Sequence, residues 1–597
     1  MADSCVTVSA DPVDLSHHFS DITLNRKASS VKEFYKYFLI PGIGNLAGGL
    51  PNNNYFPFDT IEAKAALPQR FVPTPNKPVD PPAQVPTSDT SIASQVVVPK
   101  VDNEPDPLLK IDLKTALQYG TAQGYPPLYS FLRQFTRENL HPNVPYTGGP
   151  EIILTCGNTD GFAKTLDCLS NPWIEGKDWV RDRPGLLVEK FAYMNAIQAA
   201  RPRGMNIVPV AIDAEGMLAA GPGGLEDVLE NWDFTRGKRP HLIYTVTIGQ
   251  NPTSGTLGVQ RRRDIYAVCC KYDVLIVEDD PYWYLQFPSA NAHSLAARGI
   301  PHNSSPLPSY DSIAGTQNYN SPKSSGYPFL DSLVPSYLSV DTQGRVIRLD
   351  TFSKTVAPGC RLGWITAQPA IVERFLRITE ASTQQPSGFV QSIIAELIMG
   401  SQSDSGSGGA KDGSGWNTSG WVRWLEGLRG NYERRMNVMC TVLEDGKELV
   451  KSGRRGSLAD DGWSVIEKTL LYDFVWPLGG MFIWVKVNLQ SHPLFKKISP
   501  AKLARALWVF NTEKPYLLLV APGAMFSPTE EISEKEGWSY FRLCFAAVDN
   551  NVLEDMAKRY VSALQAFWQK KNLDDIEEIL VRGGELQYAD MMPTGFC

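Results

Sequence analysis

A lysine and an arginine close behind one apolar segment are the strongest candidates for chemistry in this sequence. Lys354 ends the segment VIRLDTFSK (346–354), and Arg361 follows it past Pro358-Gly359. Lysine is almost never buried without a partner or a role, and a lysine amine beside a desolvated pocket becomes a nucleophile that can form a Schiff base. Arg361 could return to clamp a phosphate group. The alternative is that both residues are ordinary surface cations.

An acid and a tyrosine follow a second apolar segment. VLIVEDD (274–280) contains Asp279, and Tyr282 lies three residues after that acid. A carboxylate held at the end of a strand can make a charge-assisted bond to a protonated ring nitrogen. The tyrosine could bond a ring oxygen of the same ligand. The acids of this segment could also be solvated turn residues.

Two more polar turns follow apolar segments in the same way. After EIILTC (151–156), the residues Gly157, Asn158 and Thr159 open a helical pattern, and the free amides at a helix N-terminus bind anions such as phosphate. An ordinary helix cap is the competing interpretation. In GQNPTSGT (249–256), the Asn-Pro geometry can hold the side chain of Asn251 in one direction, although such a segment alone is more often a plain loop.

The elements that must position these residues are short apolar strands that alternate with helical patterns. This alternation predicts an α/β fold with a mostly parallel sheet covered on both faces. Ligands of such sheets lie at the carboxyl ends of the strands, where the polar turns above are found. The predicted strands are EIILTCG (151–157), LLVEK (186–190), NIVPV (206–210), HLIYTV (241–246), VLIVEDD (274–280) and VIRLDTFSK (346–354).

In chain order, these motifs resemble the signature of class I/II aminotransferases, the fold-type-I family of pyridoxal-phosphate enzymes. The matching segments are GNTDG (157–161), NPTSG (251–255), DDPY (279–282), TFSKTVAPGCRLGW (351–364) and YFRLCFA (540–546). Thr351 replaces the serine that is commoner at its position.

Within the family the chain is similar to fungal aromatic amino-acid aminotransferases and to 2-aminoadipate/kynurenine aminotransferases. The resemblance covers about residues 30–570 and excludes the inserts described below. It is carried by LAGGLPNNNYFPF (46–58), LQYGTAQGYPPLYSFL (117–132), LVPSYLSVDTQGRVIRLDTFSK (333–354) and GGMFIWVKV (479–487).

The resemblance implies pyridoxal 5'-phosphate as the cofactor and assigns a role to each site residue. Lys354, Asp279 and Tyr282 are the implied catalytic residues, with Lys354 carrying the cofactor. Arg542 would grip the substrate α-carboxylate. The implied cofactor-binding residues are Asn158, Thr159, Tyr193, Asn251, Asp279, Tyr282, Thr351, Ser353, Lys354, Arg361 and Tyr119, and the implied substrate-binding residues are Gly48, Gly49, Leu50, Tyr119, Asn251 and Arg542.

The resemblance further implies a homodimer in which Tyr119 reaches the cofactor phosphate of the other subunit. It implies a three-layer large domain and a smaller α/β domain built from both chain ends. Segment composition gives the predicted boundaries: a flexible tail at 1–30, small-domain residues at 31–65, a Pro-rich insert at 66–108, the large domain at 109–400 with an insert at 288–328, a Gly/Ser insert at 401–420 and the C-terminal part of the small domain at 421–597.

Composition excludes several other classes of protein. The 597 residues carry a net charge of −7, which gives no electrostatic footprint for nucleic acid. No apolar run is long enough to span a membrane, and the first residues have no secretory pattern, so a cytoplasmic protein is expected. The seven histidines and nine cysteines show no metal-ligand spacing, so no metal site is expected.

Several alternatives for the function stay open. The amino donor could be an aromatic residue, 2-aminoadipate or kynurenine, and the acceptor 2-oxoglutarate is an inference from the family. The same scaffold also serves pyridoxal-phosphate lyases and cofactor-binding regulators. GIGNLA (42–47) fits a dinucleotide fingerprint and would suggest a nicotinamide oxidoreductase, but GGLP follows at once and leaves no room for the helix this motif requires.

Overall fold

The structure of the protein is a computed structural model. It describes residues 10–27, 37, 40, 42–44, 46, 49–73, 93–300, 323–400, 415–454 and 464–583.

The described strands fall into four sheets. In chain order they are β1 (Thr60–Ala66), β2 (Ala93–Pro99), β3 (Glu151–Thr155), β4 (Gly185–Glu189), β5 (Asn206–Val210), β6 (Leu242–Thr245), β7 (Leu275–Asp279), β8 (Val346–Thr351), β9 (Gly363–Ala367), β10 (Glu448–Arg454), β11 (Ser464–Leu470), β12 (Tyr472–Phe474), β13 (Phe482–Val487), β14 (Ala521–Pro522) and β15 (Tyr540–Cys544).

The described α-helices connect and cover these strands. They are α1 (Asp21–Asn25), α2 (Leu113–Ala116), α3 (Pro126–Phe135), α4 (Asn158–Leu169), α5 (Met194–Ala200), α6 (Leu225–Glu230), α7 (Val259–Tyr272), α8 (Ala290–Ala297), α9 (Pro328–Asp331), α10 (Pro369–Glu380), α11 (Gly388–Met399), α12 (Asn417–Gly446), α13 (Pro500–Thr512), α14 (Glu530–Lys535), α15 (Asn550–Phe567) and α16 (Leu573–Arg582).

The largest sheet has seven strands in the order β3-β9-β8-β7-β6-β4-β5. The pairs between β8 and β5 are parallel, and β9 runs antiparallel to both of its neighbours. The predicted mostly parallel sheet is therefore confirmed. Because β3, β6, β7 and β8 run in the same direction, their carboxyl ends share one edge of the sheet, and all four polar turns from the sequence meet there.

Both faces of this sheet are buried, which explains the continuous apolar runs in its strands. Successive residues of a strand point to opposite faces, so Tyr244 of β6 and Val277 of β7 join one apolar cluster, whereas Ile243 and Ile276 join another. Helices α4, α5 and α10 cover the first face, and α6 and α7 cover the second. The site edge thus lies between two helical layers.

A second sheet, in the order β12-β13-β15-β14, is built from the C-terminal part of the chain. Its side chains and those of α13, α15 and α16 belong to the same apolar cluster as α4 and α5. One continuous core therefore joins this sheet to the first face of the large sheet, and residues from both can contribute to one site.

Strand β1, within the residues 31–65 that the sequence assigns to the small domain, does not join the C-terminal sheet. This strand pairs with β2 in a separate two-stranded sheet, and Ile61 and Ala65 pack on the cluster that contains Ile394 and Trp421. The alternating apolar residues of β1 face helices α11 and α12 instead of the C-terminal sheet. The four strands of that sheet all follow residue 471 in the described part of the chain.

Within the segment 1–30, which the sequence predicts as a flexible tail, residues 10–27 contain helix α1 and buried side chains. Leu15 and Phe19 are buried in the main core, and the Ser20 hydroxyl caps α1 by accepting a hydrogen bond from the Thr23 amide. His18 is buried as well, which lowers its pKa to about 4 and leaves it neutral at pH 7. A few apolar side chains among polar neighbours were enough to anchor this segment.

The three predicted inserts contain regular structure at their borders. The strand β2 lies within 66–108, where the strand preference of three consecutive β-branched valines prevails although prolines are frequent in the surrounding sequence. Helix α8 lies within 288–328, and α12 begins at Asn417, inside 401–420. The interior residues 74–92, 301–322 and 401–414 lie outside the described residues.

Candidate active site

A cavity of about 420 Å³ opens at the carboxyl ends of β3, β6, β7 and β8. It brings together ten of the residues that the sequence predicted for the site, from five separate segments of the chain. They are Asn158, Thr159, Tyr193, Asn251, Asp279, Tyr282, Thr351, Ser353, Lys354 and Arg361. The wall also includes Phe162, Asn195, Ala196, Ala199, Tyr244, Val246, Pro281, Pro358 and Phe482.

One end of the cavity is built to hold an anion. Helix α4 begins at Asn158 directly after Gly157, so its unpaired amides face the cavity edge. The hydroxyl oxygens of Thr351 and Ser353 lie 2.8 Å apart in the turn that follows β8. Helix amides together with two short hydroxyl groups make a donor set suited to a phosphate group.

Arg361 completes this anion site from the loop before β9. Its backbone is left-handed (φ 44°), Nη1 donates to the Pro358 carbonyl at 3.0 Å, and Nη2 donates to the Cys156 carbonyl at 3.3 Å. Gly157 has φ 90°, and a Cβ atom at that position would lie 2.7 Å from Arg361 Nη2. The guanidinium group therefore needs a glycine where β3 turns into α4.

Asp279 ends β7 and is buried in the wall of the cavity. Asn158 Nδ2 donates to its Oδ1 at 2.6 Å, and the Tyr244 hydroxyl donates to its Oδ2 at 2.6 Å. Burial raises the pKa of Asp279 to about 6, although the two hydrogen bonds act in the opposite direction. The carboxylate is thus oriented from both sides by uncharged donors.

The acids on either side of Asp279 have a different environment. Because a strand alternates its faces, Glu278 and Asp280 point away from the Asp279 side. Glu278 pairs with Arg262 at 2.6 Å and with Arg348 at 2.9 Å, and Asp280 lies 3.2 Å from Arg348. All four of these side chains are fully buried. They are not solvated turn residues, and they form an internal charge network behind the site.

Lys354 lies in the turn after β8 and lines the cavity together with Asp279 and the anion site. The preceding Phe352 is buried against Trp364 and Trp421, which fixes the turn beneath the lysine. The amine therefore comes from a rigid part of the backbone, at the wall of a largely apolar cavity. This is the setting in which a lysine can act as a nucleophile.

A buried arginine approaches from the C-terminal sheet. Arg542 of β15 lies between two aromatic rings, 4.1 Å from the centre of Phe482 and 4.7 Å from that of Phe526. Its Nη1 donates to Asn251 Oδ1 at 2.6 Å, and burial lowers its pKa. A guanidinium group held flat in this way can present a fork of donors to a carboxylate.

Two tyrosines supply the remaining wall. Tyr282 is buried with its ring edge against Phe482, and burial raises the pKa of its hydroxyl. Tyr193 lies just before α5, where its hydroxyl accepts a hydrogen bond from Asn195 at 2.8 Å. Both rings give the cavity flat apolar surfaces of the kind that pack against a planar ligand.

Four of the predicted site residues that the structure describes do not line the cavity of this chain, and one of them, Arg542, lies beside it. Gly49, Leu50 and Tyr119 are exposed, the last by 61% of its surface, and Gly48 lies outside the described residues. The sequence prediction missed Tyr244 and Phe482. Both belong to apolar strands, where their pattern is that of core residues, and only the strand register brings them to the site.

The residues present fit pyridoxal phosphate. The cavity offers an anion site formed around Gly157 and Arg361, a carboxylate that could accept a ring N–H at Asp279, and an amine at Lys354. In the segment 42–47, in contrast, the described residues 42–44 and 46 include no helical residue, although a dinucleotide fingerprint has to open a helix.

No protein-family model matches the chain. Individual proteins do: an aromatic amino acid aminotransferase of Schizosaccharomyces pombe is 33% identical over 489 residues, which cover 81% of this chain and 84% of the relative. An L-tyrosine:2-oxoglutarate aminotransferase of Tapinella panuoides is 31% identical over 492 residues, covering 82% and 77%.

The chain belongs to the aromatic amino acid aminotransferase family.

A solved structure extends this result to the fold. The aminotransferase Aro8 of Candida albicans superposes on the chain with a TM-score of 0.71 and 29% sequence identity, covering 94% of this chain and all of the other. The predicted family and the predicted cofactor are thus confirmed, and this aminotransferase uses pyridoxal phosphate. None of the helices in the described part of the aminotransferase has both the length and the apolar composition needed to cross a membrane.

Proposed function

We propose that this aminotransferase moves the amino group of an aromatic L-amino acid to a 2-oxo acid, with 2-oxoglutarate as the acceptor. One observation carries the proposal: a single cavity holds Lys354, Asp279 and an anion site, and Arg542 is fixed beside it between two aromatic rings. The names of the relatives support the aromatic donor and the 2-oxoglutarate acceptor.

Each residue has a task that follows from its chemistry. When bound, pyridoxal phosphate supplies a conjugated ring that takes up the electrons of the substrate Cα–H bond. Lys354 would hold the cofactor through Nζ, and the same amine would move the proton that leaves the substrate Cα. Asp279 keeps the proton on the ring nitrogen. Arg542 grips the α-carboxylate and so fixes the direction of the Cα–H bond.

The cavity wall supports an aromatic donor over 2-aminoadipate as the preferred substrate class. Phe482 lines the cavity, and the guanidinium group of Arg542 stacks on its ring. A substrate whose carboxylate is bound by Arg542 would therefore place its side chain among aromatic surfaces. Two aromatic residues elsewhere in the described chain do not line the cavity: Tyr125 is buried and accepts a hydrogen bond from the Asp112 amide, and Phe389 packs on Phe58.

The proposal includes a homodimer with shared sites. Tyr119 and several large apolar side chains that precede it in sequence are strongly exposed in the single chain, among them Leu46 at 100% and Tyr55 at 83%. Exposed apolar groups at this density mark an interaction surface. A second copy of the chain would cover this surface and receive Tyr119 at its own cofactor. The cytoplasmic location stays a prediction.

The test is transamination by the purified protein with pyridoxal phosphate and 2-oxoglutarate. Phenylalanine, tyrosine and tryptophan should exceed kynurenine and 2-aminoadipate in kcat/KM, and glutamate and the matching 2-oxo acid should be the products. Lys354→Ala should lower kcat about a thousandfold or more, whereas Lys271→Ala, on an exposed face of α7, should not change it. Release of ammonia or carbon dioxide would show a lyase instead, and an active Lys354→Ala protein would contradict the proposal.

A further inference from the structure

The Tyr244 hydroxyl has a position that the proposed reaction does not yet use. It lies in the cavity wall and donates a 2.6 Å hydrogen bond to Asp279 Oδ2. Tyr244 is 1% exposed, and burial raises the pKa of its hydroxyl well above the usual value. It therefore stays protonated throughout the working range of pH and can donate to Asp279 whenever that carboxylate is ionised.

The sheet register explains why these two side chains meet. Strands β6 and β7 are parallel neighbours in which Tyr244 pairs with Val277. Asp279 lies two residues after Val277 and so points to the same face of the sheet. The tyrosine side chain is long enough to reach this diagonal neighbour, whereas a smaller residue in β6 would leave the carboxylate without its second donor.

Helix α4 fixes both sides of the same carboxylate. Asn158, its first residue, donates to Asp279 Oδ1, and Phe162, one turn later, packs its ring 4.8 Å from that of Tyr244. Residues four apart share one face of a helix. The same face therefore supplies one donor directly and holds the second donor in place through a ring contact.

We infer that Tyr244 is a positioning residue that keeps Asp279 ionised and aimed at the cofactor ring nitrogen. The inference rests on the proposed function and adds a residue to it. Uncharged donors suit this task because they stabilise the carboxylate without neutralising it, in contrast to the arginines that pair with Glu278 and Asp280. The negative charge stays available for the protonated ring nitrogen.

The expected effect is a shift in a pH profile. A hydrogen bond to a carboxylate favours its ionised form, so Tyr244→Phe should raise the pKa of Asp279, which burial has already moved to about 6. The titratable or charged groups that act on this pair or share its cavity are Glu189, Tyr193, Asp280, Tyr282, Arg348, Lys354 and Arg361. Burial raises the pKa of Glu189 to about 7, so two carboxyl groups titrate in the same pH range. The acid-side decrease in the pH profile, its acid limb, therefore has to be assigned to Asp279 by mutation.

The experiment measures the affinity of the cofactor-free protein for pyridoxal phosphate from pH 5 to 8.5 by tryptophan fluorescence. In the wild type, affinity should fall on the acid side with the pKa of Asp279, and Asp279→Asn should remove this limb. Tyr244→Phe should move the limb up by about one pH unit and weaken binding about fivefold at pH 6, with little change at pH 8. The acid limb of kcat/KM should move in the same direction.

Tyr266→Phe is the matched control, because Tyr266 is also buried and also donates to a carboxylate, Asp341, at 2.9 Å outside the cavity. It should change stability and leave the limb in place. An unmoved limb in Tyr244→Phe, or an equal shift in Tyr266→Phe, would overturn the inference. If Tyr244→Phe does not fold, 3-fluorotyrosine at position 244, a stronger donor of the same shape, should move the limb down, and no movement would count against the inference. A failure of the substrate panel alone would affect only the proposed function.

Discussion

Three consecutive acids show how single residues of this enzyme acquire different chemistry. Asp279 faces a cavity and is bonded by amide and phenol donors, whereas Glu278 and Asp280 face the other way and pair with buried arginines. The residue type is similar at each position, and the alternation of the strand decides between a reactive carboxylate and a structural ion pair.

A prediction at this scale concerns the glycine beneath Arg361. Gly157→Ala should weaken binding of pyridoxal phosphate by about tenfold or more, because the new Cβ atom would displace the guanidinium group that lies 2.7 Å from its position. Fluorescence titration with the cofactor measures this effect. Gly148→Ala is the control, since Gly148 has a similar φ of 79° but open space around it.

Both variants should lose about 1–2 kcal/mol of stability from the left-handed backbone, as measured by chemical denaturation. Only Gly157→Ala should lose cofactor affinity. Equal affinities in the two variants would mean that Arg361 does not contribute to the anion site.

The sequence predicted most of the residues around the cavity because polar groups after buried strands stand out from their surroundings. Asn158, Asp279 and Lys354 each follow an apolar run directly. Tyr244 and Phe482 could not be found in this way, because an aromatic residue within a strand fits a core equally well. Their role depends on which strands are neighbours, and that information is not local.

At the scale of elements, the borders of the Gly/Ser insert differ from those that composition predicted. Trp416, inside the predicted insert, donates its ring N–H to the Ala66 carbonyl at 2.7 Å and stacks on Trp424 at 4.9 Å. The glycines and serines around it suggested a loop, yet a tryptophan every few residues supplies enough burial for the first turns of α12. Composition averages over a window and cannot resolve such a border.

The two ends of this insert lie together, which allows a sharp deletion. A Cβ atom on Gly415 would be 3.0 Å from the Cα of Gly400, so two or three glycines could replace 401–414. This shortened protein should keep its turnover and melting temperature, because a shorter loop costs less entropy to close. A deletion that extends to residue 418, the matched comparison, removes Trp416 and should lower the melting temperature by several degrees.

Differential scanning fluorimetry and steady-state assays would compare the two deletions. A loss of activity in the shorter deletion would mean that residues 401–414 contact the site.

At the scale of the whole molecule, the active site joins two sheets. Arg542 comes from the C-terminal sheet and bonds Asn251 of the large sheet's loops, and the Ser254 hydroxyl donates to the Phe482 carbonyl at 2.6 Å across the same boundary. In the proposed function, the substrate carboxylate and the cofactor would therefore be held by different parts of the chain, and the distance between them would depend on how these parts are packed.

The proposed dimer predicts complementation between two damaged proteins. Tyr119→Ala and Lys354→Ala should each be nearly inactive as homodimers, because every site then lacks one of the two residues. A mixed dimer would contain one intact site, with Lys354 from one subunit and Tyr119 from its partner. Random mixing should thus restore about a quarter of the wild-type activity.

Co-refolding followed by activity assays tests this expectation, and sedimentation measures the oligomeric state. Mixing Lys354→Ala with wild-type protein serves as the reference for subunit exchange. A fully active monomer, or no recovery despite proven exchange, would contradict the shared site.

The pairing of β3 with β9 also affects how the protein is made. Thr155 lies opposite Gly363, although most of the large sheet is synthesised between them. Gly157 and Arg361 flank this pair, so the two halves of the phosphate site come from opposite ends of a long stretch of translation. A nascent chain on the ribosome cannot recruit its cofactor before β9 has emerged and found β3. We therefore expect pyridoxal phosphate to bind late, after the pairing of β3 with β9 has closed the sheet.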